Sequence, residues 1–489
     1  MDSSTTESRG LSKLLPFLAA AAVLLLAALL GQRASSIYLL LVGGAVAFLL
    51  LLHQPGLGLV VLAALSFTLP FEIGTGTEVP LTPPVFLIPA VVGAWLLDGL
   101  RRGEMRLPVS RTVLPLLLFV VSALLSLLAG RAYWDPLVPQ PGNLLLVQLA
   151  QWGIFALSAA IYLVAGDLGA RGRQPSGGTG GWLQAATFTF LALASVVVLE
   201  HYLPPLRRLL GWSSAAMASR SLFWVWLPAL AAGQLLFNRR LPAWARLWLL
   251  ALLSGAAYVL WFSLNDWISG WVPFTVAVVA VAWLWIWRRN RAVALAVAVA
   301  LLVLVMVLYP TLFLHAGGQQ ELRLSWSGRQ ALYQAVLDLV KDHPILGLGP
   351  AAYRHYGFTR WLSMGVGRAL YLQPRISSHN NFIDVYAQMG LVGLGLFLWF
   401  LVEVGLLGWR LAARFGENAE AGFDVGYVHG ALGGLAGTLV AMMLADWFLP
   451  FVYNIGFPGF RTSALAWMFL GGLVALEQVA QSRQHATSE

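Results

Sequence analysis

The stretch SHNNFIDVYAQMGLVGLGLFLWFLVEVGLLGWR, residues 378–410, opens on polar residues, runs through an apolar segment and closes on an arginine. A spanning helix needs about 20 apolar residues, and the run from 382 to 409 supplies them. Its reading as the mouth of a membrane helix decides the fold class. Just upstream, LRLSWSGRQALYQAVLDLVKDHPILGLGPAAYRHYG (322–357) and a basic segment ending QPRISS form a long interval without a run of that kind. His315, His343, His355 and His379 lie in or beside this interval.

Outward from there the chain is mostly apolar. Of its 489 residues 59% are hydrophobic and 10% charged, against about 25% charged in a soluble domain. Apolar stretches fall near 13–31, 37–53, 56–70, 84–100, 112–130, 144–165, 182–200, 221–238, 245–264, 271–287, 292–313, 382–409, 428–449 and 463–479. The third is short and ends at Pro70. The first is read as a spanning helix and not a removed signal peptide, since no small-residue cleavage site follows it. The expectation is an all-α polytopic integral membrane protein of about 12–14 transmembrane helices. On this expectation residues 1–313 hold the first eleven, 314–381 form a large loop on the outer, periplasmic face with the residues that would carry any chemistry, and 382–489 hold the last three.

Arginine placement tests that layout. With the N-terminus in the cytoplasm, the inner loops carry Arg101, Arg102, Arg106 and Arg111, then Arg171 and Arg173, then Arg239, Arg240 and Arg246, then Arg288, Arg289 and Arg291, then Arg410 and Arg414. Most outer loops carry one or none, which is the positive-inside pattern. It puts residues 314–378 outside. The loop 201–220 is outside too, yet holds Arg207, Arg208 and Arg220, for which anion binding is the leading explanation. A net charge of +9 records orientation and does not suggest nucleic acid. The absence of cysteine excludes disulfides, a thiol nucleophile and a thiolate metal site.

Within the large loop, Ser327 and Gln330 fit a capping box, and Leu332, Val336, Leu339 and Val340 recur at helical spacing. An amphipathic surface helix is expected over 327–343, stopped by Pro344, with Arg329 on its first turn. Gly347-Leu348-Gly349-Pro350 reads as a turn, and 353–361 as a second short helix. Gly390, Gly393 and Gly395, like Gly433, Gly434 and Gly437, suit close helix packing.

His379 is the leading candidate for a general base, because a neutral imidazole takes a proton near neutral pH. Asn380 beside it would orient a hydroxyl or cap the next helix. Capping by Ser377, Ser378 and Asn380 explains the same residues, so spacing leaves both readings open. Arg323, Arg329, Arg354, Arg360, Arg368 and Arg375 share this face, and guanidinium groups bind phosphate bidentately. Contact with lipid headgroups is the simpler account of most of them. The outer acids, Asp266, Asp342 and Asp446 among them, are scattered, so no metal site is expected.

The motifs GRQALYQAVLDLVKDHPILGLGP (328–350) and SHNNFIDVYAQMGLVG (378–393), in this order, resemble the O-antigen ligase and O-antigen polymerase family of bacterial membrane glycosyltransferases. Gln388 stands where that family usually has glutamate, and SLNDWISG (263–270) lacks the arginine of its Ser-Arg-Gly. The resemblance implies a donor glycan on undecaprenyl diphosphate, a lipid or glycan acceptor, and an inner-membrane location with a periplasmic site. It implies inverting transfer without cofactor or metal. His379, Arg329 and Asn380 would be catalytic, and Arg220, Arg375, Arg323 and Arg368 would bind substrate. The alternatives are a non-enzymatic flippase of lipid-linked glycans and a metal-dependent transferase using Asp266.

Overall fold

The computed structural model describes residues 48–488 except 71, 76–78, 104–106, 172–180, 211–212, 265–266, 316–318, 364–377 and 418–421. Of the expected spans, 13–31 and most of 37–53 lie outside the described residues. The remainder forms helices: α1 Leu57–Thr68, α2 Pro83–Arg102, α3 Val113–Ala132, α4 Leu144–Leu168, α5 Trp182–Tyr202, α6 Phe223–Phe237, α7 Ala243–Tyr258, α8 Ile268–Arg289, α9 Arg291–His315, α10 Gln319–Val340, α11 Tyr353–Ser363, α12 Asn381–Glu417, α13 Phe423–Leu444 and α14 Gly456–Ser488. Two short helices, Pro204–Leu210 and Ser214–Ala218, lie between α5 and α6, and a π-helical turn, Val259–Ser263, extends α7. No strand occurs among the described residues, only an isolated bridge between Ile73 and Leu81. With no water in a bilayer core, helices satisfy every backbone polar group internally.

Nine of the described helices are long and apolar enough to cross a membrane, and Leu57–Thr68, Phe223–Phe237 and Arg291–Leu304 are shorter apolar helices. The protein is a polytopic helical membrane protein. Hydrogen bonds between Ser126 and Gln388, Gln151 and Pro450, Asn380 and Met443, and Phe448 and Asn381 bring the ends of α3 and α13 to one side with the starts of α4 and α12 and the loop leading into α14, which is called here the site end.

Glycines let the central helices touch. A Cβ on Gly233 of α6 would meet the Gly426 carbonyl of α13 at 2.4 Å, and one on Gly433 would meet the Ala277 carbonyl of α8 at 2.8 Å. Gly471 of α14 lies equally tight against the Tyr162 carbonyl of α4, at 2.3 Å. Without a hydrophobic drive between helices in lipid, such close approach is what holds a bundle together. The expected packing role of Gly433, Gly434 and Gly437 is observed.

Three local expectations are corrected. The amphipathic helix begins at Gln319, so Ser327 and Gln330 sit inside it and do not cap it, and Arg329 is in its interior turns and not its first. The helix ends at Val340, before Pro344. Gly390 has φ 63° and ψ −162°, a break within α12, and is not a helix-packing glycine. The second short helix, α11, starts at Tyr353 as expected.

Candidate active site

The break at Gly390 frees backbone groups of α12, and the turn after α10 takes them up. Leu348 N–H donates to the Ala387 carbonyl and Gly349 N–H to the Gln388 carbonyl, each at 3.0 Å. In return Leu391 N–H donates to the Pro344 carbonyl at 2.8 Å and Val392 N–H to that of Ile345 at 3.2 Å. Ser126 Oγ of α3 bridges the Leu346 and Gln388 carbonyls. The Gln388 side chain accepts from Ala351 N–H at 3.0 Å and donates to the Asp384 carbonyl at 3.1 Å. Gly347 has φ 70°, and a Cβ there would lie 2.6 Å from the Gln388 backbone. Glycine is required both by conformation and by space. Thus the 343–350 motif fastens α10, which carries Arg329, to α12, which follows His379.

His379 sits in a tight turn at the N-terminus of α12. Its backbone is left-handed, φ 54°. On one side Ser378 donates to Asp384 Oδ1 from its N–H at 3.1 Å and its hydroxyl at 2.8 Å. On the other, Asn380 Oδ1 accepts from Phe382 N–H at 3.0 Å and Ile383 N–H at 3.3 Å, which makes Asn380 the N-cap. Of its two expected roles, capping is the one observed.

Behind His379 lies Asp446, 1% exposed, with Oδ1 3.8 Å from His379 Nδ1. The loop carrying Asp446 is held from several directions. Asn381 Oδ1 accepts from Phe448 N–H at 3.1 Å and Leu449 N–H at 3.2 Å, while its Nδ2 donates to the Leu449 carbonyl at 2.7 Å. Gln151 of α4 grips Pro450 and Val452. Asp446 itself accepts from Phe451 N–H at 3.1 Å and Asn454 Nδ2 at 2.8 Å.

Arg329 reaches the same place from α10. Its Nη1 donates to the Leu444 carbonyl at 2.7 Å, while Tyr333 Oη donates to the Met443 carbonyl at 3.3 Å and Asn380 Nδ2 to the same carbonyl at 3.4 Å. These are the last carbonyls of α13, which have no partner within their own helix, and a cation there complements the negative end of its dipole. One guanidinium N–H thus has a structural partner, and the rest of the fork is not consumed by it.

The electrostatics suit proton transfer. Burial lowers the His379 pKa below the ordinary imidazole range, Asp446 raises it in part, and the Arg329 charge lowers it again. The net direction is downward, so the ring is neutral near pH 7, with Asp446 ready to stabilise its cation. Burial raises the Asp446 carboxyl, opposed by His379 and by the Phe451 and Asn454 donors.

The structure therefore brings together His379, Asn380 and Arg329, and adds Asp446, Asp384 and Tyr353, which sequence reasoning did not select. Asp446 was visible only as one of the scattered outer acids. Arg220 lies in the turn just before α6, exposed and with a left-handed backbone, φ 47°. No hydrogen bond or ion pair joins it to this cluster among the described residues. Arg368, Arg375 and Asp266 lie outside the described residues, and of Arg323 only the backbone, within α10, is described. Among the described residues no group of three His, Cys, Asp or Glu could hold a metal ion.

Residues 267–398 match the family described as O-antigen ligase, so the resemblance carried by the two motifs is borne out over that segment. It takes in Arg329, the 343–350 turn, His379, Asp384 and Gln388, and leaves Arg220 and Asp446 outside. No curated protein matches the chain.

Proposed function

We propose, from the O-antigen ligase segment and the site it contains, that this protein transfers a glycan from an undecaprenyl-diphosphate carrier to an acceptor hydroxyl at the periplasmic face. The acceptor is a lipid A core or a second glycan. The observation that carries this reading is a partly exposed imidazole facing a buried carboxylate at 3.8 Å, with the Arg329 guanidinium near enough to act on its charge, at the end of a helical membrane bundle.

In the reaction, the acceptor oxygen attacks the anomeric carbon of the donor sugar. The new carbon–oxygen bond forms as the bond to the diphosphate breaks. Attack opposite the leaving group inverts the anomeric centre. The acceptor hydroxyl proton passes to His379 Nε2, since Nδ1 faces Asp446, whose charge stabilises the imidazolium. The departing diphosphate carries its charge toward Arg329. A fixed guanidinium at a developing anion favours the transition state over the ground state, and in this reading it serves where a metal would serve elsewhere. Asn380 sets the helix start that presents His379. The expected substrate arginines Arg220, Arg323, Arg368 and Arg375 would neutralise the rest of the diphosphate.

The test is incubation of the purified protein with an undecaprenyl-diphosphate-linked oligosaccharide and a lipid A core acceptor, with products identified by mass. A conjugate with the inverted linkage and released undecaprenyl diphosphate are expected. Translocation of the donor without transfer would favour the flippase. Activity abolished by chelation and restored by a divalent metal would favour the Asp266 alternative.

A further inference from the structure

Asp384 lies in the first turn of α12, 1% exposed, and has no part in the chemistry above. Three donors converge on its Oδ1: the Tyr353 phenol at 2.7 Å, Ser378 N–H at 3.1 Å and the Ser378 hydroxyl at 2.8 Å. Its Oδ2 meets no donor. A first-turn acid placed only to complement the helix dipole would stay in solvent or accept from its own helix. Asp384 is buried and reaches outside it.

What it reaches is the frame of His379. A left-handed backbone is uncommon for a residue with a side chain and persists only where the surroundings over-determine it. Asn380, on one shoulder, is fixed by its own capping bonds and by donating its N–H to Ser378 Oγ at 3.2 Å. Ser378, on the other, is fixed by Asp384. The contacts then close into a ring. Asp384 holds Tyr353, whose ring stacks on Phe451 with centroids 4.8 Å apart. Phe451 N–H donates to Asp446, and Asp446 faces His379. The imidazole is thereby set against its carboxylate by a circuit that begins and ends at Asp384.

We infer that Asp384 is the positioning residue of this site: through Ser378 and Tyr353 it holds the His379 imidazole in register with Asp446. The inference rests on the reading of His379 as the base, and it assigns Asp384 no contact with substrate. Misplacing a reacting group by about 1 Å costs on the order of 10²-fold in rate.

Two measurements on the full-length protein in detergent test it. The first is transfer from an undecaprenyl-diphosphate-linked oligosaccharide to lipid A core. Asp384→Leu should lower kcat by about 10²-fold with KM for the donor little changed. Asp384→Asn keeps an acceptor at Oδ1 and should recover most of that loss. The same Leu substitution in a His379→Ala background should lower the residual rate no further, because a residue that acts through His379 has nothing left to position. A second loss of similar size in that background would mean that Asp384 merely supports the fold, and would overturn the proposal. The second measurement is the rate at which diethyl pyrocarbonate modifies His379, read by peptide mass with His343 as internal reference. Asp384→Leu should accelerate it, and an unchanged rate would also overturn the proposal. Should the Leu variant fail to fold, Ser378→Ala removes one of the three bonds. It should show a several-fold loss with the same dependence on His379, and a loss that ignores His379 counts against the inference. Were the wild-type protein to transfer nothing, the proposed function would fall, while the labelling rate would still decide whether Asp384 positions His379.

Discussion

Both ends of the bundle gather acids and arginines, and they treat them in opposite ways. At the end away from the site, Arg171 bridges Asp98 and Asp167, the latter at 2.6 Å, Arg102 reaches Asp98 at 3.0 Å, and Trp95 Nε1 donates to Asp167 at 2.7 Å. Asp98 and Asp167 each meet a cation at contact distance. At the site end, Asp446 and His379 stand 3.8 Å apart, and Arg329 donates to a backbone carbonyl instead of a carboxylate. A network that only holds helices together neutralises its charge. A site for a charged substrate keeps groups in position while leaving charge for the substrate to meet.

The largest effect expected of this contrast is at His379. A positioned general base contributes about 10²–10⁴-fold in rate. His379→Ala should lose that factor while still folding and binding donor. His379→Asn keeps a polar side chain that caps helices and tolerates the left-handed backbone, and still cannot take a proton, so it should fail as badly. Turnover assays of both variants on one acceptor, with donor binding measured separately, decide the matter. An active Asn variant would reduce His379 to a turn residue and erase the difference between the two ends.

Arg329 comes next. Its guanidinium already gives one N–H to Leu444. Lysine could keep the charge and satisfy that carbonyl, but would lose the planar fork that grips a diphosphate. Arg329→Lys should therefore cost on the order of 10²-fold in kcat, with the melting temperature of the detergent-solubilised protein close to wild type. If instead stability falls and turnover per folded molecule holds, Arg329 is a cap on α13 and belongs with the structural cations at the other end.

A smaller, directional effect is expected in the pH profile. The rate should rise with pH as His379 loses its proton, below the ordinary imidazole value because burial lowers its pKa. Asp446 favours the cation, so Asp446→Asn should move this acid limb to lower pH and reduce the plateau. Arg329 disfavours the cation, so Arg329→Gln should move the limb to higher pH. Profiles of kcat/KM report these pKa values for the free enzyme. A limb that stays fixed in both variants would mean that another group titrates.

Much of the fold could be read from composition, because spans are set by bilayer thickness and leave long apolar runs. The start of α10 could not, since Ser327 and Gln330 look like a cap wherever they fall. The break at Gly390 was equally hidden. Its run is apolar throughout, and the bonds that stabilise the break come from the 344–349 turn, a tertiary partner that no local period records. The site divides in the same way. His379, Asn380 and Arg329 stand in motifs. Asp446 comes from beyond the end of α13, and Asp384 looks like any first-turn acid until Tyr353 and Ser378 are seen to converge on it.

The smallest effect on catalysis is expected where the ion pairs are most complete. Arg171 is 27% exposed at its side chain, and its partners Asp98 and Asp167 are 11% and 17% exposed. Breaking a fully buried pair by removing one partner costs about 3–5 kcal/mol, and a solvent-exposed pair is worth about 0–1 kcal/mol. Arg171→Ala should fall between, at about 1–3 kcal/mol, because Asp98 keeps Arg102 and Asp167 keeps Trp95. The loss should appear as a lower melting temperature in detergent. Turnover per folded molecule should stay within about two-fold of wild type, because sites without shared partners act independently. The pair of measurements matters more than either alone. A drop in kcat of ten-fold or more at unchanged stability would show that the two ends are energetically coupled through the bundle. The charge network at α2 and α4 would then have to be counted as part of the machinery around His379.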